Sequence, residues 1–237
     1  MDQVIAKIDG LDWAGIGDML HDKGYAQIPA VLNEAACRQV SDLYDQDALF
    51  RKTVVMERFR FGLGEYKYFS YPLPGLLAAV RETLYRHLAP VANSWMHVLG
   101  EGRPFPDSLQ AMLARCRAAG QTLPTVLQLR YGPGGYNTLH QDLYGELFFP
   151  IQAVIFLKQP GTDYTGGAFV LTEQVPRAQS KVIVLQPARG DLLLFTTGFR
   201  PVKGSRGYYR VTMKHGVSEV KEGRRETLGI IFHDAQS

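Results

Sequence analysis

The residues best placed to do chemistry lie in the stretch Tyr131-Gly132-Pro133-Gly134-Gly135-Tyr136-Asn137-Thr138-Leu139-His140-Gln141-Asp142. On an extended strand, side chains two positions apart leave from the same side. His140 and Asp142 can therefore meet one metal ion while Gln141 faces away. A third ligand must come from elsewhere, and the best candidate is His215, in Val211-Thr212-Met213-Lys214-His215-Gly216-Val217. Two imidazoles and one carboxylate make a facial triad, which on octahedral Fe(II) leaves positions for a bidentate cosubstrate and O2. A His-x-Asp pair by itself more often marks a hydrogen-bonded surface pair. Arg225 adds weight. A guanidinium carried into a barrel is costly without a carboxylate partner, and a carboxylate-bearing cosubstrate would supply one through a two-pronged contact. Thr227 shares its strand face and offers a hydroxyl, whereas Arg224 points the other way, toward solvent.

The elements that must position these groups fall into two halves. From Asp12 to about Gly120 the apolar spacing is mostly helical. Gly24 is a helix stop, Asn33 caps a helix over residues 34–49, residues 76–99 form one long or two abutting helices interrupted near Pro90, and Asp107 caps residues 108–119. Short strands are expected at residues 25–31 and 53–61. From Thr125 onward the pattern becomes β-rich, with runs at 126–131, 151–158, 168–172, 182–186, 191–197, 208–217 and 227–233 separated by Gly and Pro breakers. Closely spaced strands of this kind indicate a sandwich or barrel. The expected fold is mainly β with N-terminal helices: a double-stranded β-helix, or jelly roll, flanked by α-helices. We expect one domain over residues 1–237, with 1–124 as mostly helical support and 125–237 as the jelly-roll core.

Composition narrows the class. A hydrophobic content of 46% supplies an ample core, and a net charge of +3 with interleaved signs is far from that of a dedicated nucleic-acid coat. The isolated Cys37 and Cys116 argue against a disulfide scaffold or a Cys-based zinc site. No signal core or membrane-length apolar run occurs, so no membrane partner and a cytoplasmic location are expected.

With these residues in hand, the chain resembles the Fe(II)/2-oxoglutarate-dependent dioxygenase superfamily. The matching pattern is His140-x-Asp142, His215 and Gly223-x-Arg225-x-Thr227, together with Gly166-Gly167-Ala168-Phe169 and Gly190-Asp191-Leu192-Leu193-Leu194-Phe195. Arg130-Tyr131-x-Pro133-Gly134 followed by Leu139-His140-Gln141-Asp142 is similar to the AlkB-type nucleic-acid dealkylases, while the spacing from His215 to Arg225 looks like the prolyl-hydroxylase branch. The whole chain, including residues 61–69 and 228–234, resembles a bacterial oxygenase family named for oxidative demethylation of damaged DNA.

The resemblance implies Fe(II), 2-oxoglutarate and O2, with ascorbate as a candidate addition. Arg225 and Thr227 would hold the distal carboxylate of 2-oxoglutarate, and Tyr131 would point inward to hydrogen-bond it. The implied activity is hydroxylation or oxidative demethylation of an unidentified organic substrate, with alkylated DNA as a candidate. Tyr136, Asn137, Thr138, Leu143, Tyr144 and Glu146 are placed to line the mouth. Arg58, Arg60, Lys67, Lys203, Arg206 and Arg210 are candidates for a basic rim, with Tyr66, Tyr68 and Phe69 stacking on a base. The alternatives are a catalytically silent jelly-roll sensor of metal or ligand, which the full ligand set argues against, and a zinc hydrolase on the same triad. Oligomeric state is not legible in the sequence.

Overall fold

In the computed structural model, which describes residues 1–102 and 104–236, five helices pack on one face of a two-sheet β-fold. The helices are α1 (Asp2–Asp9), α2 (Trp13–Lys23), α3 (Glu34–Asp42), α4 (Gly75–Val98) and α5 (Leu109–Ala118). Polar side chains start three of them: Asp12, Asn33 and Ser108 accept from the backbone N–H three residues on. Gly24, with φ of 78°, stops α2.

Four strands lie among the helices: β1 (Tyr25–Ile28), β2 (Phe50–Val55), β3 (Gly62–Leu63) and β4 (Glu65–Phe69). The rest follow α5: β5 (Leu127–Tyr131), β6 (Tyr136–His140), β7 (Ile151–Phe156), β8 (Tyr164–Gly166), β9 (Phe169–Gln174) and β10 (Lys181–Leu185). They continue with β11 (Leu192–Thr196), β12 (Gly198–Gly204), β13 (Gly207–Val217), β14 (Val220–Gly223) and β15 (Arg225–Ile230). The larger sheet has the order β1-β11-β7-β15-β5-β4-β2. The smaller runs β10-β9-β13-β6-β3, with β12 paired to β13, and β14 pairs separately with β8. All these ladders are antiparallel. This is the expected mainly-β, helix-flanked architecture.

Strand alternation sorts the core into two layers. On β7, Ile151, Ala153 and Ile155 pack with Leu84, Leu88 and Trp95 of α4, while Val154 and Phe156 face Phe169 and Leu171 of the smaller sheet. The space between the sheets is where a site can sit.

Several boundaries differ from expectation. Residues 2–9 form a helix because Ile8 is buried and Val4 and Ile5 pack on the core. Helix α3 ends at Asp42, and single 3-10 turns carry the chain on to Leu49. Helix α4 runs unbroken through Pro90. An interior proline costs about 3 kcal/mol, which the burial of Leu84, Leu88, Ala92 and Trp95 on both sides offsets.

Candidate metal centre

His140 ends β6 and His215 lies near the end of β13, and the two are direct partners in the antiparallel register. Their ring centroids are 4.2 Å apart. A bulge follows at once, between His215 and Val217, with Gly216 inside it. A Cβ on Gly216 would come within 2.7 Å of the Asn137 carbonyl oxygen, so only glycine lets the strands approach closely here.

Asp142 is not on the strand, as strict i, i+2 geometry would require; it lies just past the end of β6. The convergence holds nonetheless. The His140 Nε2–Asp142 Oδ1 distance is 3.5 Å and the His215 Nε2–Asp142 Oδ2 distance is 3.3 Å. One donor atom from each of the three lies within 4.8 Å of the others. Gln141 turns away, as expected, donating its amide to the Gly198 and Met213 carbonyls at 2.9 and 3.0 Å. That contact fastens the segment carrying Asp142 to the smaller sheet.

The protonation pattern suits a cation. His140 Nδ1 sits 2.8 Å from the Thr138 carbonyl oxygen. A carbonyl only accepts, so Nδ1 carries the proton and Nε2 offers its lone pair. Burial lowers the His215 imidazole below its ordinary range and the neighbouring His140 lowers it further, against the opposing pull of Asp142. Burial on its own would raise the Asp142 carboxyl. The His215 hydrogen bond, the charges of both imidazoles and the Tyr144 hydroxyl outweigh it and hold Asp142 well below the usual carboxylate range. Tyr144 donates to Asp142 Oδ1 at 2.7 Å and accepts from Tyr68 at 3.0 Å.

These residues open into a cavity of about 210 Å³ between the sheets. Its wall includes all three, with Tyr131, Arg225, Thr227, Asn137, Thr138 and Tyr144, and apolar faces from Leu129, Val154, Phe169 and Phe195. Arg225 and Thr227 share the inner face of β15, and Arg225 pairs in register with Tyr131. Arg225 is only 1% exposed. Its guanidinium carbon lies 5.5 and 5.4 Å from the Tyr131 and Phe156 ring centres. Gly167, with φ of 58°, makes room for it: a Cβ there would stand 2.9 Å from Arg225 Cδ. Among the described residues no carboxylate comes within ion-pair distance of Arg225, and its Nε has no hydrogen-bond partner. Burial lowers its pKa, against the hydroxyls of Tyr164 and Tyr131. Burial likewise pushes the Tyr131 phenol up to about 12.

A buried cation that no carboxylate among the described residues satisfies, in the wall of a cavity that also carries a ready triad, fits a bound Fe(II) together with a small dicarboxylate. One further donor points the same way. Gln152, the polar residue in the otherwise apolar β7, lines the cavity with a buried amide nitrogen that lacks a partner.

Part of the expected rim is not at the surface. Lys67 is buried, 2.7 Å from Asp47 and over the Tyr44 and Phe50 rings. Tyr68 and Phe69 are core residues, whereas Arg210 is exposed but already paired with Glu101. Tyr66 does line the cavity, and so does Phe61, for which the sequence suggests no role of its own. His233 is buried, accepting from the Phe149 N–H through Nδ1. Both cysteines are buried and free.

Known proteins resemble this chain. The family described as "Oxygenase, catalysing oxidative methylation of damaged DNA" matches residues 64–235. Uncharacterized proteins from two strains of Mycobacterium tuberculosis are each 50% identical over 167 residues, covering 70% of this chain and 72% of theirs. Among solved structures, a 2OG-Fe(II) oxygenase family oxidoreductase from Burkholderia pseudomallei superposes with a TM-score of 0.55 at 13% identity, covering 95% of this chain and 93% of that one. A viral collagen prolyl hydroxylase from Paramecium Bursaria Chlorella virus-1 gives 0.51 at 18% identity, over 89% of this chain and 95% of its own. A prolyl-4-hydroxylase from Pseudomonas putida gives 0.50 at 15% identity, over 95% of this chain and 100% of its own. At such identities the likeness is one of fold.

Proposed function

The chain belongs to the oxygenase family described as acting on damaged DNA, and from that premise we propose that His140, Asp142 and His215 hold Fe(II) while Arg225, Thr227 and Tyr131 hold 2-oxoglutarate. Family and fold together make the protein an oxidoreductase of the 2-oxoglutarate and Fe(II) type, for which Fe(II), 2-oxoglutarate and O2 are the implied cofactors. The single observation that carries the site assignment is the buried, carboxylate-free Arg225 facing the same cavity as the triad.

Iron and 2-oxoglutarate, when bound, supply the oxidising chemistry that inserts oxygen at a substrate C–H bond. The chain's own residues bind, orient and shield. His140 keeps its proton on Nδ1 and donates it to the Thr138 carbonyl, which leaves Nε2 available as a ligand. The Tyr144 hydroxyl fixes the rotation of the Asp142 carboxylate. Arg225 meets the distal carboxylate with its planar fork, a charge-assisted contact stronger than a neutral hydrogen bond. Thr227 adds a hydroxyl from the same strand face. Leu129, Val154, Phe169 and Phe195 keep the walls apolar, which excludes water and strengthens the polar contacts inside. Hydroxylation of a methyl group on a heteroatom gives an unstable hemiaminal or hemiacetal, so the same chamber serves hydroxylation and demethylation alike. Ascorbate as a candidate addition and a cytoplasmic site of action belong to the same reading. No helix among the described residues is long and apolar enough to cross a membrane.

The test is Fe(II)-dependent release of succinate from 2-oxoglutarate under air. The wild-type chain is expected to release it and Asp142→Ala is not. Metal binding by Asp142→Ala, measured by anaerobic titration with Mn(II), should fall at least ~100-fold, because a ligand matters more than its hydrogen-bonding support. Turnover with zinc and no need for oxygen would overturn the proposal in favour of a hydrolase, and no turnover under any condition would favour a sensor.

A further inference from the structure

At the mouth of the cavity, a short 3-10 turn (Met56–Phe59) leads into β3, and the connecting residues carry the sequence Arg58-Phe59-Arg60-Phe61. Phe59 and Phe61 are 52% and 44% exposed. Water-exposed phenylalanines normally scatter or fold inward, yet these two lie nearly parallel, 21° apart, with ring centres at 5.5 Å. The arrangement is held. Arg60 between them takes left-handed backbone, φ of 60°, which a non-glycine residue adopts only at a cost of about 1 kcal/mol or more. The Phe61 carbonyl accepts both the N–H and the hydroxyl of Thr138, each at 2.9 Å, and the Phe61 N–H donates to Met56. Thr138 is two residues from His140, so the stack is tied to the strand that carries a metal ligand. Phe61 itself lines the cavity, and Phe59 extends the stack outward.

Charge singles out the partner. Arg58 and Arg60 are exposed, and among the described residues neither has a carboxylate within ion-pair distance. The one acid inside this segment, Glu57, accepts instead from the Gly64 N–H at 3.4 Å. Two flat apolar faces alternating with two unpaired guanidinium groups match a polymer in which flat rings alternate with anions. That polymer is a nucleic acid with its bases unstacked. A proline-bearing peptide would occupy the rings and leave the arginines without partners.

We propose that the Arg58–Phe61 turn is a binding platform for single-stranded nucleic acid, with Phe59 and Phe61 stacking on bases and Arg58 and Arg60 contacting phosphates, so that the base beside Phe61 enters the cavity. The inference rests on reading the cavity as the reaction chamber; the family's description already mentions DNA, and what is added is which residues take up the strand and that they take it up unpaired. In a duplex the bases are stacked on one another, so a base must be single-stranded or extruded to meet the platform.

The experiment is fluorescence anisotropy of dye-labelled 12-nucleotide DNA and RNA strands against the full chain, loaded anaerobically with Mn(II) and 2-oxoglutarate. Binding of either strand supports the platform, and the ratio of the two says which nucleic acid it prefers. Phe59→Ala/Phe61→Ala should weaken binding at least tenfold, on the order expected for losing base stacking. Phe59→Tyr/Phe61→Tyr, which keeps the flat rings, should restore it. Arg58→Gln/Arg60→Asn, with asparagine chosen because it tolerates left-handed backbone, should reduce the slope of log affinity against log salt by about 1.4, or ~0.7 for each phosphate no longer neutralised. Three results would overturn the proposal: no strand binding at low salt, binding indifferent to the phenylalanines, or phenylalanine-dependent capture of an unstructured prolyl peptide with no strand binding. Because no turnover is involved, a failure here leaves the iron and 2-oxoglutarate assignments standing. Failure of those assignments would show instead in the succinate assay.

Discussion

Replacing Arg225 with methionine separates the cost of a buried charge from its use. The side chain is 1% exposed, has no carboxylate within ion-pair distance among the described residues, and is eased by ring faces at 5.5 and 5.4 Å and the hydroxyls of Tyr164 and Tyr131. Burying an ion costs several kcal/mol even after relaxation, and each desolvated cation–π contact returns about 1–2 kcal/mol. The ligand-free protein therefore holds an uncompensated penalty of about 2 kcal/mol. Methionine fills a similar volume without charge, so Arg225→Met should stabilise the ligand-free chain by roughly that amount, or about 4–8 °C in Tm for a protein of this size. Affinity for 2-oxoglutarate should move the other way. Loss of a buried charge pair costs about 3–5 kcal/mol, which is roughly 150- to 4000-fold in Kd. Thermal melts with Mn(II), with and without saturating 2-oxoglutarate, should thus cross: the variant melts higher without the ligand, and only the wild type gains when it is added. A variant that is less stable without ligand and still binds 2-oxoglutarate normally would show that Arg225 is a structural residue.

Other expectations follow from the same geometry. Tyr144→Phe removes the hydroxyl that holds Asp142 Oδ1 at 2.7 Å and should weaken Mn(II) binding by about 10-fold or more, read by calorimetry; unchanged affinity would mean the hydroxyl does not orient the ligand. Gly216→Ala forces a Cβ against the Asn137 carbonyl at 2.7 Å and should part His215 from His140, so metal affinity should fall further than thermal stability does. His233 gives a pH dependence. Burial, with the charge of Arg81 behind it, lowers this imidazole from 6.5 to about 3. The unfolded chain takes up a proton below about pH 6.5 and the native chain does not, so stability is full above that pH and declines as pH falls toward 3, by up to about 1.4 kcal/mol per unit. Urea midpoints should drop accordingly between pH 6.5 and 4.5, and His233→Asn should flatten the slope; parallel slopes in the two proteins would refute the assignment.

The sequence pointed to the triad because its residue types are rare and their chemistry is demanding: His140, Asp142 and His215 were legible as candidate ligands before any strand was placed, and the structure brings them together. Strand alternation accounts for the pairing of His140 and Asp142 only in part, since the chain leaves β6 between them and the Gln141 amide secures the second residue. Arg225 was legible for the opposite reason, as a charge that a barrel interior would reject without a ligand. Part of the rim was misread because burial depends on partners distant in sequence, while Arg58 and Arg60 are exposed as expected. Lys67 looked like a rim cation, but Asp47 and two aromatic rings draw it inward. Tyr144 was expected only to line the mouth, not to hold Asp142, and Gln152 had no assigned role, because a hydroxyl and an amide carry no pattern until a carboxylate or a void appears beside them. The Phe59–Phe61 stack depends on one left-handed residue, a backbone choice that arginine does not advertise.

His140 and His215 belong to segments far apart in the chain that meet as neighbours across a single ladder. An ion gripped by both would act as a rivet through that seam, joining the strand that follows β5 to one laid down much later. Loading should then slow amide exchange along β6 and β13 together, well beyond the coordinating residues, so that filling the centre also closes the wall around it.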